Sequence, residues 1–126
     1  MNWLVLISGL VAAFCTVGHF AIGSKQYLQP MLQASFDDVA KKVMHCVFHY
    51  VSVYLVLSTA FLIAVGFGYK FNTDATRMVQ FIAVHFALFA VMQLIIAVTS
   101  KNQNAAFKMF QWTIFVVIAV FAWLGA

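Results

Sequence analysis

Four long apolar stretches constrain this chain more than any other feature of its sequence. They cover approximately residues 2–23, 43–68, 78–99 and 107–124, and no Asp, Glu, Lys or Arg lies in the middle of any of them. A helix that crosses a bilayer needs about 20 mostly apolar residues, which is close to the length of each stretch. Strands are not expected, because the stretches are too long and an open sheet edge cannot be satisfied in lipid. The sequence therefore predicts an all-α protein whose four transmembrane helices form a single integral membrane domain, residues 1–126.

The composition supports a membrane environment. Hydrophobic residues make up 65% of the sequence and charged residues 8%, whereas soluble domains contain about 45–50% and about 25%. The net charge of +4 does not indicate nucleic-acid binding, because the charged residues are confined to the loops and to the ends of the apolar stretches. The first stretch has no basic region before it, so we expect an uncleaved helix and not a signal peptide. The predicted environment is the lipid bilayer, and no nucleic-acid partner is expected.

The basic residues predict the orientation. The second loop holds Lys70 and Arg77, whereas the first and third loops hold five basic residues: Lys25, Lys41, Lys42, Lys101 and Lys108. Loops that are rich in Lys and Arg lie on the cytoplasmic side of a bacterial inner membrane. The expected architecture is therefore an antiparallel four-transmembrane-helix bundle with both termini outside.

Local signals predict where helices end and how closely they pack. Pro30 is expected to end the first helix, and Ser35-x-x-Asp38 is expected to start the second near Phe36. The segment Asn72-Thr73-Asp74 is expected to cap the third helix. Small residues at Gly9, Ala13 and Thr16 form a stripe that predicts close approach of a neighbouring helix.

Each predicted helix carries a strongly polar side chain in its cytoplasmic half. With a rise of about 1.5 Å per residue, four of these side chains lie roughly 7–10 Å from the bilayer centre: His19, His49, Gln93 and Gln111. His45 and Ser52 lie one turn to either side of His49 on the same helix face. Because an unpaired donor that faces lipid costs several kcal/mol, we expect these groups to face inward as one polar layer.

The polar layer admits three interpretations. His19, His45 and His49 are candidate ligands for a metal ion (Zn, Cu or Fe), since imidazoles at i and i+4 can share one ion. His19 and His49 are alternatively the axial ligands of a b-type haem. In the third interpretation the layer, with Ser52, Gln93 and Gln111, holds the helices together through hydrogen bonds. His85 lies apart from the layer. It is a candidate for a solute path or a second site, and the alternative is a core histidine whose hydrogen bonds are satisfied.

A resemblance to known families concerns the first half of the chain. The pattern Gly18-His19, Gly23, Pro30-Met-Leu32 and His49-x-x-Ser52 resembles that of small uncharacterised four-helix bacterial inner-membrane proteins. The first-helix histidine, followed by a loop with Pro and Leu, is also similar to the copper-resistance-D and membrane protoporphyrinogen-oxidase group. That similarity implies haem or copper.

Two function classes follow. No Ser-His-Asp set, paired carboxylates or Gly-x-Ser-x-Gly motif is recognisable, so we assign no catalytic residue and do not expect an enzyme. The first class is a binding or redox protein with a metal ion or haem in the layer of His19, His45 and His49. The second is a small carrier, channel or membrane-complex assembly subunit. Four helices enclose little space for a pore, so the second class implies a homo-oligomer or a partner protein.

Overall fold

Helices account for nearly all of the structure. The computed structural model describes residues 1–71, 74–102 and 104–126. Its elements in chain order are α1 (Trp3–Gly18), a π-helical segment (His19–Leu28), α2 (Gln29–Gln33), α3 (Asp38–Gly66), α4 (Ala75–Thr99), α5 (Ala105–Lys108) and α6 (Gln111–Gly125). No strand occurs within the described ranges, so the all-α prediction is confirmed.

Three of the helices are long and apolar enough to cross a membrane: Trp3–Gln33, Asp38–Gly66 and Ala75–Thr99. The fourth apolar helix, α6, has only 15 residues. It is shorter than the predicted stretch 107–124 because the backbone leaves the helical region at Met109, with φ −103° and ψ 56°. The fourth stretch is therefore divided into α5 and α6.

The first helix continues ten residues beyond its predicted end near residue 23. It passes through Pro30, which lies in the first turn of α2 and does not end the helix as expected. In a regular α-helix the proline ring clashes with the carbonyl four residues earlier. Here the preceding turns are π-helical, and Gln29 N–H still donates to the Ser24 carbonyl five residues before it. The wider turn leaves room for the ring, so the helix ends only where Ala34 becomes extended.

Aspartates cap two of the long helices. The Asp37 carboxylate accepts from Ala40 N–H at 2.8 Å, so Asp37 caps α3, and the predicted start near Phe36 moves by two residues. The Asp74 carboxylate accepts from Arg77 N–H at 3.2 Å at the start of α4, as expected. The other two residues of that predicted cap, Asn72 and Thr73, lie outside the described residues.

The helix α1 is the centre of the packing. It lies between α3 and α6, and α6 in turn packs against α4. The backbone N–H of Asn2 donates to the Gly66 carbonyl at 2.8 Å, and the Asn2 side-chain amide donates to the Gly125 carbonyl at 2.6 Å. The start of α1 therefore contacts the ends of α3 and α6, so α1 runs opposite to both.

Glycines bring α1 into backbone contact with its two neighbours. A Cβ atom at Gly66 would lie 2.6 Å from Leu6 Cα, and one at Gly125 would lie 2.9 Å from Val5 N. A Cβ at Gly9 would lie 2.9 Å from the Ile63 N of α3. Such short separations exclude any side chain. The contact at Gly9 is the close approach that the small-residue stripe predicts, whereas Gly66 and Gly125 lie outside that stripe.

Hydroxyl groups reinforce the same contacts. The buried Ser8 hydroxyl donates to the Ile118 carbonyl of α6 at 2.8 Å. The Thr16 and Thr59 hydroxyls lie 3.0 Å apart across the interface of α1 with α3. In lipid such interhelical hydrogen bonds and close packing, and not the hydrophobic effect, drive helix association.

Aromatic side chains connect α3 with α4, whose backbones stay apart. The Tyr54 ring of α3 stacks on His85 with 5.3 Å between ring centroids, and it also contacts Phe86 and Phe89. The Tyr54 hydroxyl is buried and has no hydrogen-bond partner among the described residues. The aromatic cluster therefore joins these two helices by ring contacts.

We expect Gly66→Ala to lower the free energy of unfolding by about 1–3 kcal/mol, because its methyl group would overlap the Leu6 backbone. Gly18→Ala is the matched control, since a Cβ there meets no atom within 4 Å. This control should raise stability by up to about 1 kcal/mol, as alanine does in a helix interior. Equilibrium unfolding of both variants in mixed micelles measures the difference. Equal stability of the two would contradict the close contact.

Candidate functional site

A cavity of about 330 Å³ lies between the first helix, α3 and the start of α6. Apolar side chains form most of its wall, among them Phe14, Ile22, Leu55 and Phe115. Its polar groups are His19, Gln26, Tyr27 and Gln111. Ligand sites in proteins commonly have this size and this combination of an apolar wall with a few polar groups.

The π-helical segment forms one side of the cavity. Its first residue, His19, and its Gly23 both line the cavity, as does the preceding Gly18. A Cβ at Gly18 would meet no atom within 4 Å. The absence of a side chain at Gly18 therefore leaves part of the space open.

The His19 ring is fixed by α3. Its Nε2 lies 2.9 Å from the Ser52 hydroxyl oxygen, and the ring stacks on Phe48 with centroids 4.1 Å apart. The Ser52 hydroxyl donates its proton to the Phe48 carbonyl at 3.0 Å. It therefore accepts from His19 Nε2–H, which leaves Nδ1 of the neutral ring as an acceptor. This nitrogen lies on the Gly23 side, 3.8 Å from the position of a Cβ on that residue.

The two predicted glutamines form a connected pair at the other side of the cavity. The Gln93 amide donates to Gln111 Oε1 at 2.9 Å and to the Met109 carbonyl at 3.0 Å. Gln111 Nε2 then donates to the Tyr27 oxygen at 3.2 Å. This arrangement leaves the Tyr27 hydroxyl proton available to a further acceptor.

Gln93 also has a clear structural role. The Met109 carbonyl is released where α5 ends and α6 has not begun. A backbone carbonyl that is kept from water must be satisfied by another protein group, and Gln93 supplies the donor. The Trp112 indole does the same for the Ala106 carbonyl at 3.0 Å.

His45 and His49 lie on the other side of α3 from the cavity wall. Their Nε2 atoms are 3.1 Å apart, and the pair is exposed. His49 lines a shallow depression with Phe20 and Ser52, and not the cavity that His19 lines. The inward orientation expected for all members of the polar layer thus does not apply to this pair.

The metal and haem interpretations can be compared with this geometry. Across residues 1–71, 74–102 and 104–126, no group of three or more His, Cys, Asp and Glu side chains is arranged to hold a metal ion. His19, His45 and His49 therefore do not form a three-ligand set. His19 is the one histidine among the cavity-lining residues, so the cavity wall does not supply the second axial ligand of a b-type haem.

No family model, curated protein or solved structure matches this chain. Its own geometry is therefore the basis for interpreting the site.

His85 lines neither the cavity nor the shallow depression beside His49. Its Nδ1–H donates to the Phe81 carbonyl of the preceding turn at 2.9 Å, and its ring lies against Tyr54 and Phe81. These contacts are those of a satisfied histidine within an aromatic cluster. Among the described residues, His85 and Gln93 share no hydrogen-bond partner.

Tyr27 and Gln26 line the site but are not predicted from the sequence. Tyr27 falls beyond the predicted end of the first helix, whereas it lies in the π-helical segment and contacts Gln111. Gly18 is expected to clear space for the macrocycle in the haem interpretation, and a Cβ there would meet no atom within 4 Å. The spacing Gly18-x-x-x-x-Gly23 was a usable signal, since both glycines line the cavity.

We expect Gln93→Leu to lower the free energy of unfolding by about 1–3 kcal/mol, because the Met109 carbonyl and Gln111 Oε1 both lose their donor. The adjacent Met92→Leu is the control, since Met92 is exposed and should change stability little. Unfolding in mixed micelles checks both variants. A Gln93→Leu protein as stable as Met92→Leu would show that the hydrogen bonds across the α5–α6 break are dispensable.

Proposed function

We propose that this chain is a multi-pass protein of the bacterial inner membrane, in which four helices cross the bilayer as an antiparallel bundle. Three long apolar helices support this architecture, and large apolar side chains such as Val98, at 79% exposure, are suited to lipid contact. With 15 residues, α6 is only about 22 Å long. Satisfied carbonyls at the α5–α6 break would allow that irregular backbone to lie at membrane depth.

The proposed orientation has both termini outside, and reporter fusions test it. Alkaline phosphatase, which is active only outside the inner membrane, should be active when fused after Ala126 or before Met1. The same enzyme inserted beside Lys101 should be inactive, because the third loop is basic and expected to remain in the cytoplasm. The reverse pattern of activity would contradict the orientation.

We infer that the cavity binds a small, largely apolar molecule with one hydrogen-bonding head group. The observation that carries this inference is the meeting of an apolar wall with His19 and Tyr27, in a space of about 330 Å³ that Gly18 leaves open. The resulting class is a small membrane carrier, which belongs to the second of the two classes that the sequence suggests.

The chemistry of the ligand's head group follows from the hydrogen bonds that His19 and Tyr27 already make within the protein. His19 Nε2–H is directed to Ser52, so Nδ1 can accept a hydrogen bond from a ligand. The Tyr27 oxygen accepts from Gln111, so its own O–H can donate to a ligand. A hydroxyl or phenol group both donates and accepts, so it suits either of these two residues. We therefore propose an aromatic or short-chain alcohol as the ligand class.

Photolabelling of the protein in lipid nanodiscs with a diazirine-bearing phenol tests this proposal. The label should map by mass spectrometry to cavity residues such as Ile22 and Ile114. Gly18→Phe should reduce this labelling at least tenfold, because its ring would occupy the open space. Gly18→Ala is the matched control and should retain the labelling.

The methyl ether of the same probe tests the head group, since it cannot donate to His19. It should label the cavity less than the phenol does. Labelling of the lipid-facing surfaces alone, unchanged by Gly18→Phe, would contradict the binding site.

A further inference from the structure

The spacing of the His45 and His49 nitrogens matches that of two ligands on one metal ion. Their Nε2 atoms are 3.1 Å apart. Two imidazole nitrogens on a tetrahedral zinc ion, each at about 2.0–2.1 Å from the metal, are about 3.3–3.4 Å apart. A shift of a few tenths of an ångström would therefore let both nitrogens bind one ion in place of their hydrogen bond.

This chain alone cannot complete the coordination sphere with protein ligands. Within its described residues no third His, Cys, Asp or Glu joins the pair, and His19 Nε2 is directed to Ser52. A structural zinc site has four protein ligands. The pair supplies half of such a site.

The position of the pair favours a second copy of the chain as the source of the other half. The pair lies on an exposed part of α3, and a depression of about 330 Å³ adjoins it, lined by Phe20, Val53, Val56 and Leu57. These two exposed nitrogens now have only each other as hydrogen-bond partners, so a group from a second copy that also pairs with them would be favourable. A two-fold axis beside His49 brings the same two histidines from the second copy to the same point.

We propose that two copies of this chain form a dimer through α3 and bind one Zn²⁺ or similar transition-metal ion between them, with His45 and His49 of each copy as its four ligands. Neutral imidazole suits zinc and copper, whereas Mg²⁺ and Ca²⁺ prefer oxygen. The exposed side chains of Val53 and Leu57 would pack against the partner beside the metal. The proposal does not depend on the ligand of the cavity.

Metal binding by the full chain tests the proposal directly. The protein is purified in detergent through a tag without histidine, stripped with a chelator and then titrated with Zn²⁺ or Mg²⁺. We expect one zinc ion per two chains by elemental analysis and a zinc-dependent dimer by light scattering. X-ray absorption should show four imidazole nitrogens at about 2.0 Å from zinc, and Mg²⁺ should produce no dimer.

Single histidine variants identify the ligands. His49→Gln and His45→Gln change exposed or half-buried positions, and each should abolish both zinc binding and the zinc-dependent dimer. His85→Gln is the matched control, since it removes a histidine from the aromatic cluster, and it should retain both. Gly18→Phe should also retain both, which separates this test from that of the cavity.

Three results would overturn the proposal. They are the absence of bound zinc, one zinc ion per monomer with a mixed nitrogen and oxygen shell, and a dimer that forms equally well without zinc. If the variants do not fold, the stoichiometry and the absorption spectrum of the unchanged chain still decide between these results and the shared site.

Discussion

The close contact of the α1 backbone with α3 and α6 is the interaction on which the rest of the structure depends. Lipid is as apolar as the side chains, so helices in a bilayer associate through dense packing and hydrogen bonds. Gly66 and Gly125 leave no room for a side chain where they meet α1, and Asn2 bonds to the carbonyls of both glycines. These contacts fix three helix ends at one point.

The same arrangement explains why a cavity lies toward the opposite end of α1. Away from the glycine contacts, the π-helical segment continues the first helix past Gly18 and brings Tyr27 to Gln111 at the start of α6. There, long polar and aromatic side chains, and not contact between the two backbones, set the separation between the π-helical segment and α6. One end of α1 is therefore tightly packed, and the other end adjoins a cavity.

The sequence predicted the helical class and part of the site, because apolar length and the need to satisfy polar groups act locally. Gln93 and Gln111 were expected at one depth, and they share a hydrogen bond. His19 was expected to face inward, and it lines the cavity. The outward direction of His45 and His49 was not predictable, because it depends on which face of α3 meets α1. The passage of the helix through Pro30 depends on the π-helical turns before it, which no residue pattern indicates.

The most direct test of this account is an experimental density map of the full chain in lipid nanodiscs prepared without detergent. We expect non-protein density between His19 and Tyr27, in a space lined by Gly18 and Phe115, with Gly66 still in contact with Leu6. A map in which α6 closes onto the π-helical segment and leaves no space between them would contradict the account.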